Sequence, residues 1–406
     1  GGLGEGGQGI VAICFTIPFI LLSGFAGQVC DRRSKQRIVL WVKIVEVPIA
    51  VVALVGFWTQ QLWVSMAALV AITCQSAFFG PAKYGMIPEI VRPTDLSRAN
   101  GTIQMFTNVA VIVGSIAGAQ LADLYWPSGM PSGERVSAEV IDELEAVSDG
   151  AAASMPVPEV EGVPLLWLPG VVMVITAVIG LIAACFIRPL PARSPDLRYS
   201  RNPFGAYVQA LKEMSRSPLL LISLALGYFM LLASIATLII PEYEIVLNID
   251  RTRAALILAV LGVAVAAGNV TVGLVSGEHI QLRLVPFGAA GIGLSFILLG
   301  LVPPVEWNVH LFIFIGGFSS GFYVIPLLSA LQRLSPLDER GRYLGTHSAV
   351  SFVYLMLGSA LFYVVRGFVG DEPQRIFLIG AALILVGGAF FHVGLRRAAA
   401  AHGEID

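Results

Sequence analysis

Long stretches of apolar residues, each interrupted by a short polar break, set the rhythm of this chain. Eleven such runs can be marked: 9–30, 38–58, 62–82, 101–124, 165–187, 218–240, 254–276, 284–302, 308–331, 344–365 and 374–395. Most hold about 20 residues, enough for an α-helix to cross a hydrocarbon layer of about 30 Å. They show neither the period-two alternation of strands nor the narrow apolar stripe of a surface helix. In lipid the backbone must satisfy its own polar groups, so the pattern predicts an all-α integral membrane protein with eleven spans.

Composition agrees. Hydrophobic residues make up 56% of the chain and charged ones 13%. The net charge of −2 gives no basis for a nucleic-acid partner. Its distribution is more informative. If the loop after the first run is cytoplasmic and the sides alternate, only Arg135, Arg251, Arg253, Arg366 and Arg375 of the 25 Lys and Arg face outside, and Lys43 lies within a run. The others face inside, which predicts a cytoplasmic C-terminus. The four cysteines (Cys14, Cys30, Cys74 and Cys185) lie in or beside spans and read as packing residues. The five histidines are scattered, so neither a metal nor any other cofactor is expected.

An odd number of spans with the C-terminus inside puts the N-terminus outside, and the sequence opens on Gly1 in a glycine-rich stretch. The expectation is a first helix missing from eleven spans of a twelve-span fold. The basic segment 188–217 then separates an N-terminal bundle, 1–187, from a C-terminal six-helix bundle, 218–397. The loop 125–164 is acidic, with Glu134, Glu139, Asp142 and Glu143 among its charges, and is expected to be solvated. The halves echo one another. "FFGPAKYGMIPEIVRPTDLSRANG" and "GFYVIPLLSALQRLSPLDERGRYLG" each join an aromatic pair, a proline near a helix end, an Asp and a basic turn. Weak repetition across two halves is the mark of a secondary transporter.

The first inside loop, "GFAGQVCDRRSKQR", places Gly27, Asp31, Arg32, Lys35 and Arg37 at the spacing G-x-x-x-D-R-x-x-K-x-R. Plain topology explains the bases but not the acid among them. Asp31 suits a conformational latch, binding a basic group or a helix N-terminus of the other half in one state and releasing it in another. Asp338, Arg340 and Arg342 form the second-half counterpart, either a gate or a solvated loop.

This motif and layout resemble the major facilitator superfamily, a two-bundle fold. The stretches "FFGPAKYGMIPEI", "LSRANG" and "SPLDERGR" resemble one branch: bacterial lysophospholipid transporters and related permease domains fused to acyltransferase or acyl-acyl-carrier synthetase modules. The resemblance implies an inner-membrane secondary transporter, with membrane lipids as surroundings, a lysophospholipid as substrate and a cytoplasmic acyltransferase as partner. Alternatives are an exporter of a soluble or drug-like molecule and a non-transporting scaffold for an acyltransferase.

Gly80 and Pro81 are expected to break the helix. Lys83 then projects near the cytoplasmic mouth of the path between the halves, where a lipid phosphate is a natural partner and Tyr84 adds a ring at headgroup depth. The plainer reading is a snorkelling anchor. Lys43 and Glu46, three apart in "WVKIVEVPIA", are spaced for an ion pair, although Glu46 also suits a coupling proton. Gly114 and Gly118 make a small-residue face for helix contact. "GFSSG", 317–321, imitates a nucleophile elbow but lies inside an apolar run, so no enzymatic activity is expected. The chain departs from the branch in having no charge in "LLLISLALGYFMLLASIATLIIP" and in carrying Thr346 and His347 where asparagines are common.

Overall fold

The structure, a computed structural model, describes residues 7–125, 165–197, 199, 203–249, 251–276, 280–370 and 372–402. The acidic loop expected over 125–164 lies almost wholly outside them. Eleven described helices are long and apolar enough to cross a membrane. The first bundle holds α1 (Gly7–Arg32), α2 (Lys35–Trp58), α3 (Leu62–Ile90), α4 (Leu96–Tyr125) and α5 (Leu168–Cys185). A shorter helix, α6 (Pro203–Met214), lies in the connecting segment. The second bundle holds α7 (Leu219–Ile239), α8 (Arg251–Val275), α9 (Val285–Leu301), α10 (Glu306–Leu334), α11 (Arg340–Val369) and α12 (Ile376–His402).

The halves repeat one another in helix length and in contact pattern. α3 and α10 each have 29 residues, and α4 and α11 each have 30. α1 packs on α11 and α8 packs on α4, so each cross-bundle contact repeats the other. Among the described residues α7 has no counterpart in the first bundle. The larger buried core belongs to the second bundle, around Ile222, Leu232, Ile235, Tyr323, Leu327 and Ile384. A smaller one, including Cys30, Ile38, Val42 and Ala82, sits in the first. Large apolar side chains point outward, among them Phe368 and Val386, where lipid tails are as good a solvent as a protein core. All four cysteines are free.

The helix break expected at Gly80 and Pro81 does not occur. α3 runs through both residues, and through Pro88, without interruption. A proline inside a helix costs about 3 kcal/mol. Unwinding within lipid would strip several N–H and C=O groups of partners at several kcal/mol each. The continuous helix is therefore cheaper, and the PAKYG stretch lies within its last three turns or so. Among the described residues, a side chain at Gly114 or Gly118 on α4 would meet no atom within 4 Å.

The bundles meet at the end that carries the Arg32–Arg37 loop, hereafter the basic end. They meet there backbone to backbone. A Cβ on Gly27 would lie 2.4 Å from the Gly341 carbonyl oxygen, and one on Gly345 2.2 Å from that of Ser23. On the pseudo-equivalent side a Cβ on Gly101 would lie 2.5 Å from the Asn269 carbonyl oxygen. Only glycine allows this approach. Phe19 and Phe352 stack across the α1–α11 contact, 4.0 Å between ring centroids.

Candidate functional site

Asp31 lies in the last turn of α1, against the start of α11. Its Oδ1 accepts from the Gly341 N–H at 2.6 Å and its Oδ2 from the Arg342 N–H at 2.8 Å. The carboxylate is buried. It occupies the positive end of a 30-residue helix and satisfies two of the four donors that every helix N-terminus leaves open. Gly27 lies one turn back and removes the side chain that would keep α1 from α11. The structure thus brings Gly27, Asp31, Arg340 and Arg342 into one junction.

Arg342 reaches outward to Glu213 on α6 and to Glu339 at 2.6 Å. The Tyr343 hydroxyl donates to the same Glu213 carboxylate at 3.1 Å. Arg340 is buried and donates to the Ser335 carbonyl at 3.4 Å, while its Nε and Nη1 find no partner. Arg32, by contrast, holds the connecting segment: its Nε donates to Pro195 O and its guanidinium lies 4.6 Å from the Tyr199 ring centroid. Arg37 and Asp338 are exposed, and their backbones make the contacts: Arg37 N–H caps on Ser34 Oγ, and Asp338 C=O accepts from Ser194 Oγ at 2.9 Å. Neither side chain joins the Asp31 junction.

Two elements of this end escaped the sequence reading. Lys35 and Glu89 form an ion pair at 2.7 Å with both side chains 1% exposed, and Arg193 approaches the same Glu89 oxygen at 3.4 Å. The signal was an acid in "MIPEI" and a lysine in the loop motif, 54 residues apart. The second is Tyr207 on α6. Its hydroxyl donates to Ile20 O at 2.7 Å and accepts from the Gly24 N–H at 2.6 Å, inserting into the ladder of α1. A Cβ on Gly24 would strike the ring at 2.5 Å. Burial raises the Tyr207 phenol above its ordinary pKa, which keeps the proton its donor role needs.

Deeper in the first bundle the charges change character. Lys83 Nζ donates to Thr107 Oγ1 on α4 at 3.0 Å and lies 5.2 Å from the Tyr84 ring centroid. The Tyr84 hydroxyl donates to Gln104 Oε1 at 3.3 Å. No carboxylate among the described residues lies within salt-bridge distance of Lys83. Lys43 and Glu46 do pair, at 2.7 Å, and Gln75 Nε2 adds a bond to the same Glu46 oxygen at 3.0 Å. By formal charge Lys43, Lys83 and Glu46 sum to +1.

One residue beyond Thr107, Asn108 begins a 790 Å³ cavity between α4 and the second bundle. It runs toward Gln120 and Thr237 at the end opposite the basic one, and its walls are chiefly apolar, with Ile112, Phe229, Leu261 and Phe296 among them. Twelve residues of helix from Asn108 to Gln120 rise about 18 Å. Among the described residues no group of three or more His, Cys, Asp or Glu is placed to hold a metal ion.

Comparison with known proteins agrees with this architecture. The lysophospholipid transporter LplT of Serratia proteamaculans is 26% identical over 343 residues, covering 82% of this chain and 72% of the relative. LplT of Cronobacter sakazakii is 26% identical over 356 residues, 86% of this chain and 75% of its own length. Among solved structures, the human organic anion transporter MFSD10 (TETRAN) superposes with a TM-score of 0.74 at 12% identity, covering 95% of this chain and 83% of that one. The E. coli fucose:proton symporter FucP gives a TM-score of 0.68 at 13% identity, covering 94% and 90%. At such identities the structural likeness speaks for the fold. The family model described as Major Facilitator Superfamily matches residues 2–359, and the chain therefore belongs to that superfamily of membrane transporters.

Proposed function

We propose that this transporter moves a lysophospholipid from the outer to the inner leaflet by alternating access. The observation that carries the reading is Lys83: an ammonium at membrane depth whose partners are a hydroxyl and a ring face. A charge so placed gains from an anion and is costly without one. The cluster's net +1 matches a phosphodiester, which carries a single negative charge. The apolar cavity that starts beside Thr107 offers room for the single acyl chain. The names of the LplT relatives point to the same substrate class.

In this reading the basic end faces the cytoplasm of a bacterial inner membrane, as the distribution of Lys and Arg suggests, and the C-terminus lies on that side. The Asp31 junction then closes the cytoplasmic path while the 790 Å³ cavity serves the outer side. Glu213, Arg342, Lys35 and Glu89 extend the latch. A cytoplasmic acyltransferase that reacylates the arriving lysolipid would draw net flux inward.

The test is uptake into proteoliposomes. Lysophosphatidylethanolamine is added outside and the remaining outer-leaflet lipid is extracted with albumin; a panel of soluble compounds runs in parallel. The wild-type protein should protect a growing fraction of lysolipid. Lys83→Glu should lower the rate at least tenfold, because a charge-assisted hydrogen bond is worth about 1.5–3 kcal/mol and the new carboxylate repels phosphate. Uptake of a soluble compound without lysolipid would replace this reading with the exporter. Transport of neither, with an acyltransferase still bound and active, would replace it with the scaffold.

A further inference from the structure

A second cavity opens on the flank of the first bundle, away from the path between the bundles. It has a volume of 1210 Å³ and lies among α1, α2, α3 and the start of the connecting segment. Its two ends differ in chemistry. At the basic end stand Arg33 and Arg37, both exposed, with neither paired to a carboxylate among the described residues. Tyr199 and Trp41, the latter 63% exposed, stand at the rim. Toward the membrane centre the wall becomes Val42, Val45, Ile49 and Phe78. From Arg37 to Ile49 helix α2 rises about 18 Å, slightly more than one leaflet of hydrocarbon.

We propose that this groove holds one phospholipid of anionic headgroup, distinct from the transported substrate. Its phosphate sits on Arg33 and Arg37, and one acyl chain lies along Val42, Val45 and Ile49. The charge pattern decides the occupant. Lipid tails are as apolar as the groove, so a chain gains little by leaving the bilayer for it. Selectivity must come from the head, and paired guanidinium groups at headgroup depth select phosphate and negative charge. The aromatic pair fits the same depth, where amphipathic rings settle. The proposal also gives Arg37 a role, since the fold leaves its side chain outside the Asp31 junction. Occupancy would brace α1 against α2 next to that junction.

Native mass spectrometry of the full chain released from mixed micelles tests this directly. The probes are palmitoyl-oleoyl phosphatidylglycerol and palmitoyl-oleoyl phosphatidylcholine, which share acyl chains and differ in net charge. The wild-type protein should retain one phosphatidylglycerol in strong preference to phosphatidylcholine. Each basic residue near an anionic head contributes about fivefold in affinity, so Arg33→Gln with Arg37→Gln should weaken retention roughly 30-fold and erase the preference. Val45→Trp, which fills the apolar end, should lower phosphatidylglycerol occupancy while both arginines stay. Equal retention of the two lipids by the wild type would overturn the proposal. So would unchanged retention in the arginine variant or in Val45→Trp, with thermal unfolding confirming that each is folded. Lysolipid uptake is measured separately, so the substrate reading stands or falls on its own result.

Discussion

Replacing Asp31 by Asn changes little in size and removes one charge. The carboxylate accepts two backbone N–H groups, at 2.6 and 2.8 Å, where α11 begins. An amide keeps one acceptor and turns an N–H donor toward a second N–H. Loss of the charge at a buried helix N-terminus costs about 2 kcal/mol. The backbone donor left without a partner adds about 1–3 kcal/mol. The closed state of the basic end should therefore lose about 3 kcal/mol relative to the open one, roughly a hundredfold in their ratio. Spin labels on cysteines introduced at Arg33 and Leu337, both exposed and on opposite bundles, would report the change with the four native cysteines replaced. Pulsed dipolar spectroscopy should show one dominant short distance in the parent and a substantial longer population in Asp31→Asn. An unchanged distribution in a folded variant would refute the reasoning, because the carboxylate would then not bias the two states.

Other substitutions probe different parts of the same end. Gly27→Ala should open it as well, since the new methyl meets a carbonyl oxygen at 2.4 Å and backbone cannot yield as a side chain does. Glu89→Gln should cost about 3–5 kcal/mol by leaving Lys35 buried without its counter-charge, whereas Lys35→Met with Glu89→Leu should restore most of the loss in thermal unfolding. Tyr207→Phe should change global stability by no more than about 1 kcal/mol but speed tryptic cleavage at Arg193 and Lys212, as α6 loses its hold on α1.

The spans were legible because hydropathy over 20 residues is an additive signal that tertiary contacts barely alter. The partner of Asp31 was legible as a class, a helix N-terminus, since a lone acid in a basic loop has few other uses. The Lys43–Glu46 pair followed from i,i+3 spacing. What stayed hidden depended on register between distant segments. Glu89 pairs with Lys35 only because α3 continues past Pro81, and the proline suggested the reverse. A rule for proline calibrated in water, where freed backbone groups find solvent, fails in lipid, where they do not. The notch at Gly24 could not be foreseen either, because the tyrosine that fills it comes 183 residues later.

The tyrosine anchored in α1 has a geometric corollary. Four residues, 215–218, join the end of α6 to the start of α7. Fully stretched, the five Cα–Cα steps from Met214 to Leu219 span about 18 Å. While the phenol stays lodged in its notch, the second bundle is on a short leash, and the gap at this end cannot widen beyond that reach. A wider swing requires the ring to leave first, so the connecting helix sets both how far the two halves travel and the order in which they part.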